Sequence, residues 1–523
     1  ETEVLLALYE RMGMDFLQHL NGDFAIAIMD HARGRLCLIR DRVGIKPLYF
    51  WQRGDDLVFG SEIKALLAGG VPAELDRDQV QPYFVFKYVP GTATLFRGVA
   101  RLAPGHFLEY DLATGRTRIA PYWQPRSGTN TAISYREACE EVAQLVEDAT
   151  RIRLVADVPV GTFLSGGLDS SIIGSLVRDQ KHISHYCARQ SREAVRNEGT
   201  TSDFDHASRL AAEWDLDFHP VDIGADQLSP ELIRKTVFFA DDLIADSAQI
   251  PTYLITQGAS ATSRVFLSGM GADEIFLGYA GHILTLLSSQ LGRVPGNRLI
   301  RDALGRLDEG RGVMKSARRY LYKLGKYRDL GPLQPAVFSL VGDFARSASV
   351  VSGSTDGILR FLEGYFPGDV DAFEGLKRFE FDNFLQKNLS YTDRMAMANA
   401  VEVRVPFLDH RLVDLAYSLP RDFKLGNLGR SKRILKDTFG PRLPDYVTKR
   451  RKAGFAMPIR SLFSSRGAVL ALLDLPMLAD VIPLQVDAVD SVIDRHADGS
   501  EDNSALIYAL ISFQEWYRKF FVH

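Results

Sequence analysis

The run EVLLALYERMGMDFLQ, residues 3–18, repeats its apolar positions at helical spacing and predicts an amphipathic helix. After it the period shortens. FAIAIMD, RLCLIRD, PLYFWQ and DLVFGS are short apolar runs separated by Gly, Asp and Lys-Pro turns, the pattern of an antiparallel sheet built from hairpins. FRGVARLAPGHFLEYDLATGRTRIAPYW continues that pattern, and the polar, turn-rich QPRSGTNTA (124–132) predicts a linker. Beyond it strands and helices alternate. A helix near 134–153 leads to strand VPVGTFL and a helix, then strand ISHYCA, helix FDHASRLAAEW, the edge DFHPVDI, a long helical stretch and strand RVFLSG. Such alternation predicts a parallel sheet covered by helices. From about 281 onward the pattern is mostly helical, and a stretch near 293–330 rich in Arg and Lys predicts an exposed surface. The expected division is 1–123, a linker at 124–133, and 134–523.

Bulk properties narrow the class. At 523 residues the chain exceeds one ordinary core, so two or more domains are expected. A net charge of −4 gives no global basic field to recruit nucleic acid or an anionic membrane. The three cysteines, Cys37, Cys139 and Cys187, form no CxxC pair, which excludes a disulfide framework and predicts a reducing, cytoplasmic setting. No apolar run is long enough to cross a bilayer, so no membrane partner is expected. The sequence begins at Glu1 rather than Met, inside a predicted helix, so the natural protein is expected to begin earlier.

The strongest chemical signal is TFLSGGLDSSIIGSLV, residues 162–177. A strand ends at Leu164, a Ser-Gly-Gly turn follows, and a helix begins near Leu168. This order gathers bare backbone N–H groups and a helix N-terminus around one point, which suits a phosphate. Gly166 and Gly167 allow positive φ and close approach, while Ser165, Ser170 and Ser171 add hydroxyl donors. Bare phosphate would repel Asp169, so its presence implies Mg²⁺ between them. No GxxxxGK[ST] occurs, which argues against a Walker-type cradle. The plain alternative is a serine-rich turn capping a helix. A second loop, VFLSGMGADEIFLGY (265–279), sets Asp273 and Glu274 side by side just past an apolar strand.

SGGLDSS resembles the pyrophosphate-binding loop of ATP pyrophosphatases, and the wider sequence resembles glutamine-dependent asparagine synthetases. NGDFAIAIMD, RDRVGIKPLYF and FGSEIKALL resemble the later half of that family's glutaminase domain. IADSAQIPTYL, LSGMGADEIFLGY, DRMAMANAVEVRVPFLDHRLVDLAYSLP and KRRKAGFAMPI resemble successive landmarks of its synthetase domain. The resemblance implies an α/β protein. An incomplete N-terminal αββα glutaminase domain of the Ntn-hydrolase type would precede a parallel-sheet ATP-pyrophosphatase (HUP-like) domain with a largely helical C-terminal part. It implies an ATP-dependent carbon–nitrogen ligase in which a substrate carboxylate attacks the α-phosphate of ATP, pyrophosphate leaves, and ammonia from glutamine displaces AMP. ATP and Mg²⁺ are the implied cofactors; glutamine or ammonia and a small carboxylate are the implied substrates. Relatives of this kind are often homodimers.

Residue by residue, the resemblance places Leu164, Ser165, Gly166, Gly167, Asp169, Ser170, Ala188, Ser268 and Gly269 around the nucleotide. It makes Asp169 and Asp273 the metal carboxylates, and Lys452 reads as the lysine that stabilises the charged intermediate and leaving group or as a solvated member of the basic run Lys449–Lys452. Asp203 and Asp205 read as ribose contacts or as N-caps. Asp241, Asp242, Asp246 and Ser247 fall near the family's substrate pocket or serve as turn and cap residues. Arg394, Glu402 and Arg404 read as substrate contacts or as buried ion pairs joining two helices. Cys187 reads as a small core residue.

Two departures stand out. The family's glutaminase nucleophile is a cysteine at the mature N-terminus, with its own α-amino group as base. That position falls before Glu1, while Glu1 itself matches an acidic residue that receives glutamine's amino group. Cys37 lies mid-strand and cannot substitute, so the sequence as given is expected not to hydrolyse glutamine. The second departure is Met270, where many asparagine-forming relatives carry Glu, able to take a proton as ammonia attacks. Methionine has no proton chemistry but packs well beside an apolar substrate. The acceptor is therefore aspartate or another carboxylate, such as a sugar uronate or a biosynthetic intermediate. A non-catalytic nucleotide-binding relative and an RNA-modifying ATP pyrophosphatase are the remaining readings, and the retained Asp169 and Asp273 count against the first.

Overall fold

The computed structural model describes residues 2–190, 203–224, 227–292, 300, 303–304, 322–340, 343–368, 370–426, 430–450 and 459–522. The expected first helix is shorter than its pattern. It spans Thr2–Met12 and gives way to a 3₁₀ turn, Gly13–His19, because Gly13 adopts φ +59° and ends the α-helical ladder.

Seven antiparallel strands follow: β1 (Ala25–Asp30), β2 (Arg35–Arg40), β3 (Tyr49–Arg53), β4 (Asp56–Gly60), β5 (Val99–Arg101), β6 (His106–Asp111) and β7 (Thr117–Pro121). They form two sheets rather than one meander, ordered β1-β2-β6-β7 and β4-β3-β5. The β2–β6 pairing skips the intervening hairpin. Leu36, Leu38, Leu48, Leu102, Leu108 and Tyr110 bury themselves together and join the two sheets.

After residues 124–133, which carry no regular element, a capping box at Ser134 and Glu137 starts the helix Tyr135–Ile152. A five-stranded parallel sheet follows. Its strands are β8 (Val160–Phe163), β9 (Ser184–Gln190), β10 (Phe218–Ile223), β11 (Val265–Leu267) and β12 (Glu402–Arg404), ordered β10-β9-β8-β11-β12. Pro220 sits in β10, on the edge where a missing N–H costs no ladder bond. The order reverses direction between β8 and β11. In open α/β sheets that switch point opens the crevice at the carboxyl ends of the strands where ligands bind.

β12 corrects one expectation. Glu402 and Arg404 lie on one strand, two residues apart and 2.8 Å from each other, so their pair joins no helices. Arg404 also donates to the carbonyls of Arg153 and Val155, fixing the end of the helix Tyr135–Ile152. Apart from β12, the described residues beyond 280 are helical or irregular.

Buried ion pairs tie the antiparallel region to the parallel one. Asp242 accepts from Tyr49 Oη at 2.9 Å and, through its two oxygens, from Nε and Nη2 of Arg101. Arg394, buried, lies 3.7 Å from Asp241 and 3.4 Å from Glu62. Asp241 and Asp242 therefore serve this seam. Asp409 is 1% exposed and accepts from Arg153, Asn21 and Arg411, each at about 3.0 Å. Burial opposes its charge, but Arg411, Arg153 and Asn21 outweigh burial and hold its carboxyl well below the usual range. Removing one partner of a buried pair leaves the other uncompensated, so Asp409→Ala is expected to cost about 3–5 kcal/mol in denaturant unfolding. The sign for pH follows. The contribution is complete above the unfolded carboxylate pKa of about 3.9 and is lost as pH falls toward the depressed folded value, so Asp409→Asn is expected to flatten the acid limb of the stability curve.

Candidate active site

Two loops meet at the switch point. The first leaves β8 at Leu164, which is buried and whose N–H donates to the Tyr186 carbonyl of β9 at 2.8 Å. Ser165 and Ser170 share a hydroxyl–hydroxyl contact of 2.9 Å, and the Gly167 N–H points to Ser165 Oγ at 3.3 Å. Gly166 has φ +65°, and a Cβ there would strike the backbone of His206 and Ala207 at 2.7 Å, so the turn lies flat on the helix Asp203–Glu213. Gly167 then precedes the helix Leu168–Val177, with Asp169 in its first turn.

The second loop leaves β11. The Ser268 N–H donates to the Arg404 carbonyl at 2.9 Å, and Ser268 Oγ accepts from the Met270 N–H at 3.3 Å. A Cβ on Gly269 would lie 2.7 Å from Asp169 Cβ and 2.8 Å from the Ser170 nitrogen. Only glycine lets the two loops touch this closely. Asp273 enters from the short helix Ala272–Ile275.

Between the two carboxylates stands Lys432. Its Nζ is 2.5 Å from Asp169 Oδ2 and 2.6 Å from Asp273 Oδ1. The lysine comes from just before the helix Arg433–Phe439 and adopts φ +52°, a left-handed conformation rare for a long side chain. Burial works to lower its pKa, but Asp169 and Asp273 outweigh it and hold the ammonium firmly charged. The site is thus built around one cation position faced by two carboxylates. That donor set fits Mg²⁺, which commonly takes one or two carboxylates and completes its shell with water and phosphate oxygens. Among the described residues no group of three or more His, Cys, Asp or Glu side chains gathers as a closed metal cage.

Arg450 closes the first loop from above. It donates to the Ser165 carbonyl at 2.9 Å and pairs with Asp203 at 2.5 Å. Burial pushes Asp203 upward against the pull of Arg450. The Asp203 carboxylate is thus engaged by an arginine in the first turn of its helix. Lys432 and Arg450 both escaped the sequence reading, since each sits in a basic run that reads as solvated surface. Ala188 lies half-buried on β9, one strand from the Leu164 loop. Burial pushes the Cys187 thiol well up, as expected of a core residue. Lys452 and Glu1 lie outside the described residues.

Met270 is half-buried, with its Sδ 3.7 Å from Thr392 Oγ1. Glu274, its acidic neighbour, is buried and accepts from Tyr279 Oη at 2.7 Å and Asn388 Nδ2 at 3.0 Å. Those contacts give Glu274 a structural role joining the second loop to the helix Gln386–Met397.

Two family models match this chain. Residues 1–123 match the glutamine amidotransferase domain, and residues 141–518 match asparagine synthase. The chain belongs to the asparagine synthase family. Its relatives include a putative glutamine-hydrolysing asparagine synthetase of Mycobacterium tuberculosis, 29% identical over all of this chain and 80% of that protein. Asparagine synthetase 1 of Bacillus subtilis is 28% identical over 99% of this chain and 80% of its own length. The amidase chyE of Penicillium rubens is 28% identical over 88% of this chain and 73% of its own. Membership in the asparagine synthase family, together with the amidotransferase match, assigns the chain to ATP-using ligases that form amides with glutamine nitrogen. No helix among the described residues is long and apolar enough to cross a membrane.

Proposed function

We propose that the chain adenylates a small carboxylic acid with ATP, releases pyrophosphate, and forms the amide with ammonia drawn from glutamine. The observation that carries this reading is the pair of loops touching at Gly269 and Asp169, with two carboxylates and one buried ammonium converging where the sheet changes direction. Leu164 through Ser170, with Ser268, Gly269 and Ala188, would surround the nucleotide. The N–H groups at the start of the helix Leu168–Val177 would receive the phosphates, and Arg450 holds that loop through the Ser165 carbonyl. Asp169 and Asp273 would hold Mg²⁺, which when bound adds positive charge to the triphosphate. Lys432, whose ammonium lies beside both carboxylates, would supply positive charge to the negative charge that grows on the leaving pyrophosphate. By family resemblance Lys452 would stabilise the charged intermediate and the leaving group.

Residues 1–123 would form the glutaminase domain, 124–133 the linker and 134–523 the synthetase domain, with Glu1 toward glutamine, in a cytoplasmic enzyme. The test is ATP–pyrophosphate exchange by the full chain with a panel of carboxylic acids: exchange that depends on an acid supports the reading, and its absence with every acid counts against it. The Met270 Sδ accepts from Thr392 Oγ1 at 3.7 Å. Met270→Glu is expected to leave exchange within about threefold of the parent, since the Met270 side chain is not among those assigned to the metal or the phosphates. A loss beyond about a hundredfold would assign Met270 to the adenylating site.

A further inference from the structure

A separate cavity lies on the same side of the parallel sheet as the nucleotide loops. A cavity of about 190 Å³ is lined by Lys87, Tyr88, Asp246, Ser247, Phe384 and Lys387, among others. Its place follows from the topology. The helix Gln249–Ala259 leads into the start of β11, and the helix Gln386–Met397 leads into the start of β12. Each helix must therefore begin at the carboxyl edge of the parallel sheet, where the nucleotide loops also lie. Asp246 and Ser247 immediately precede the first helix, and Lys387 is in the opening turn of the second. One and a half turns further along that second helix, Thr392 meets Met270 of the nucleotide lip.

The charges in this cavity are uneven. Asp246 is spent: one oxygen pairs with Lys387 and the other accepts the Ala248 N–H at 3.0 Å. Lys87 is 2% exposed and, among the described residues, donates to the Phe84 carbonyl and, at 3.0 Å, to Ser347 Oγ. Among the described residues no carboxylate pairs with it, although an ammonium has three N–H groups to satisfy. Burial alone lowers its pKa to about 7, so the position lacks a counter-charge. The walls are otherwise aromatic, aliphatic or small, among them Tyr88, Phe384, Leu340, Ile459 and Ser247.

We propose that this cavity is the acceptor pocket, and that it selects a compact acid carrying a second anionic group and no ammonium group, the second anion resting against Lys87. The inference rests on the adenylating reading above and names its substrate class. A cavity of about 150 Å³ takes benzene, so this volume suits an acid of that size or slightly larger. Aspartate fits poorly because its ammonium would find no free carboxylate among the described lining residues.

The test uses ATP–pyrophosphate exchange by the full chain with two matched pairs, succinate against aspartate and isophthalate against benzoate. The member with a second anion and no amine is expected to show a KM at least about tenfold lower in each pair. Lys87→Gln is expected to raise the KM for succinate about tenfold or more while kcat changes less than about threefold. Ser247→Leu, which fills the cavity from another element, is expected to raise the KM for isophthalate, and circular dichroism melts check that both variants fold. Equal use of aspartate and succinate, or folded variants with unchanged KM, would overturn the proposal. If no acid supports exchange, calorimetric titration of succinate and isophthalate separates the two readings. Binding that Lys87→Gln abolishes keeps the pocket and removes the adenylation; no binding removes the pocket.

Discussion

Asp169→Asn and Asp273→Asn are each expected to lower acid-dependent ATP–pyrophosphate exchange by about 10²–10³-fold, the scale on which preorganised charge stabilisation is lost when one group is removed. The two carboxylates face one point from different loops, Asp169 from the helix after β8 and Asp273 from the helix after β11. Neither duplicates the other, so neither single change should be rescued by the residue that remains. Asparagine keeps the shape and removes the charge. Because Lys432 retains one carboxylate in each variant, the fold should survive, and melting temperatures near that of the parent would separate a lost site from a lost structure. The Mg²⁺ concentration for half-maximal exchange should rise in both. Exchange within about threefold of the parent in either variant would remove that residue from the site.

What the sequence made legible is what short-range chemistry encodes. The strand–turn–helix at Leu164–Leu168 could be read because Gly166 and Gly167 have local reasons to be there. The antiparallel hairpins were visible from their period, but not the pairing of β2 with β6, which depends on a buried seam formed across the 65 residues between Arg40 and His106. β12 was hidden because three residues, Glu402–Arg404, give too short a run for a period to register. The first helix ended early at Gly13, whose positive φ overrode an apolar spacing that continued through residue 18.

The site divides along the same line. Asp169 and Asp273 sit in recognisable loops. Lys432 reaches them from more than 150 residues further along the chain, out of the basic run GRSKR. Nothing local distinguishes it from Arg430 or Arg433, which pair with Asp437 near the surface. Only folding tells these cations apart, because burial makes the same charge costly in one place and cheap in the other. Met270 moved in the opposite direction. Its side chain contacts Thr392, while the neighbouring Glu274 is engaged by Tyr279 and Asn388. That bears on which acid is amidated rather than on whether ATP is cleaved.

Lys432 supports the second large expectation, and its two parts have opposite signs. Lys432→Gln is expected to lower maximal exchange by about a hundredfold or more, through loss of a buried positive charge beside the departing pyrophosphate. Yet the same change frees Asp169 and Asp273 from an ammonium 2.5 and 2.6 Å away, so half-saturation by Mg²⁺ should shift to lower concentration. Without Mg²⁺ the variant leaves two partly buried carboxylates facing each other, a loss of about 3–5 kcal/mol by analogy with other broken buried pairs. Added Mg²⁺ should restore more stability to the variant than it adds to the parent, because only in the variant does the ion relieve an unbalanced site. Denaturant unfolding with and without Mg²⁺, set beside the exchange assay, reads both parts. A lysine that merely holds the fold would lower stability without moving the Mg²⁺ dependence of exchange. A lysine that only occupies the ion's position would lower half-saturation and leave the maximum untouched. Lower half-saturation together with a lower maximum is the result that requires an ammonium able to serve the carboxylates first and the phosphates afterwards.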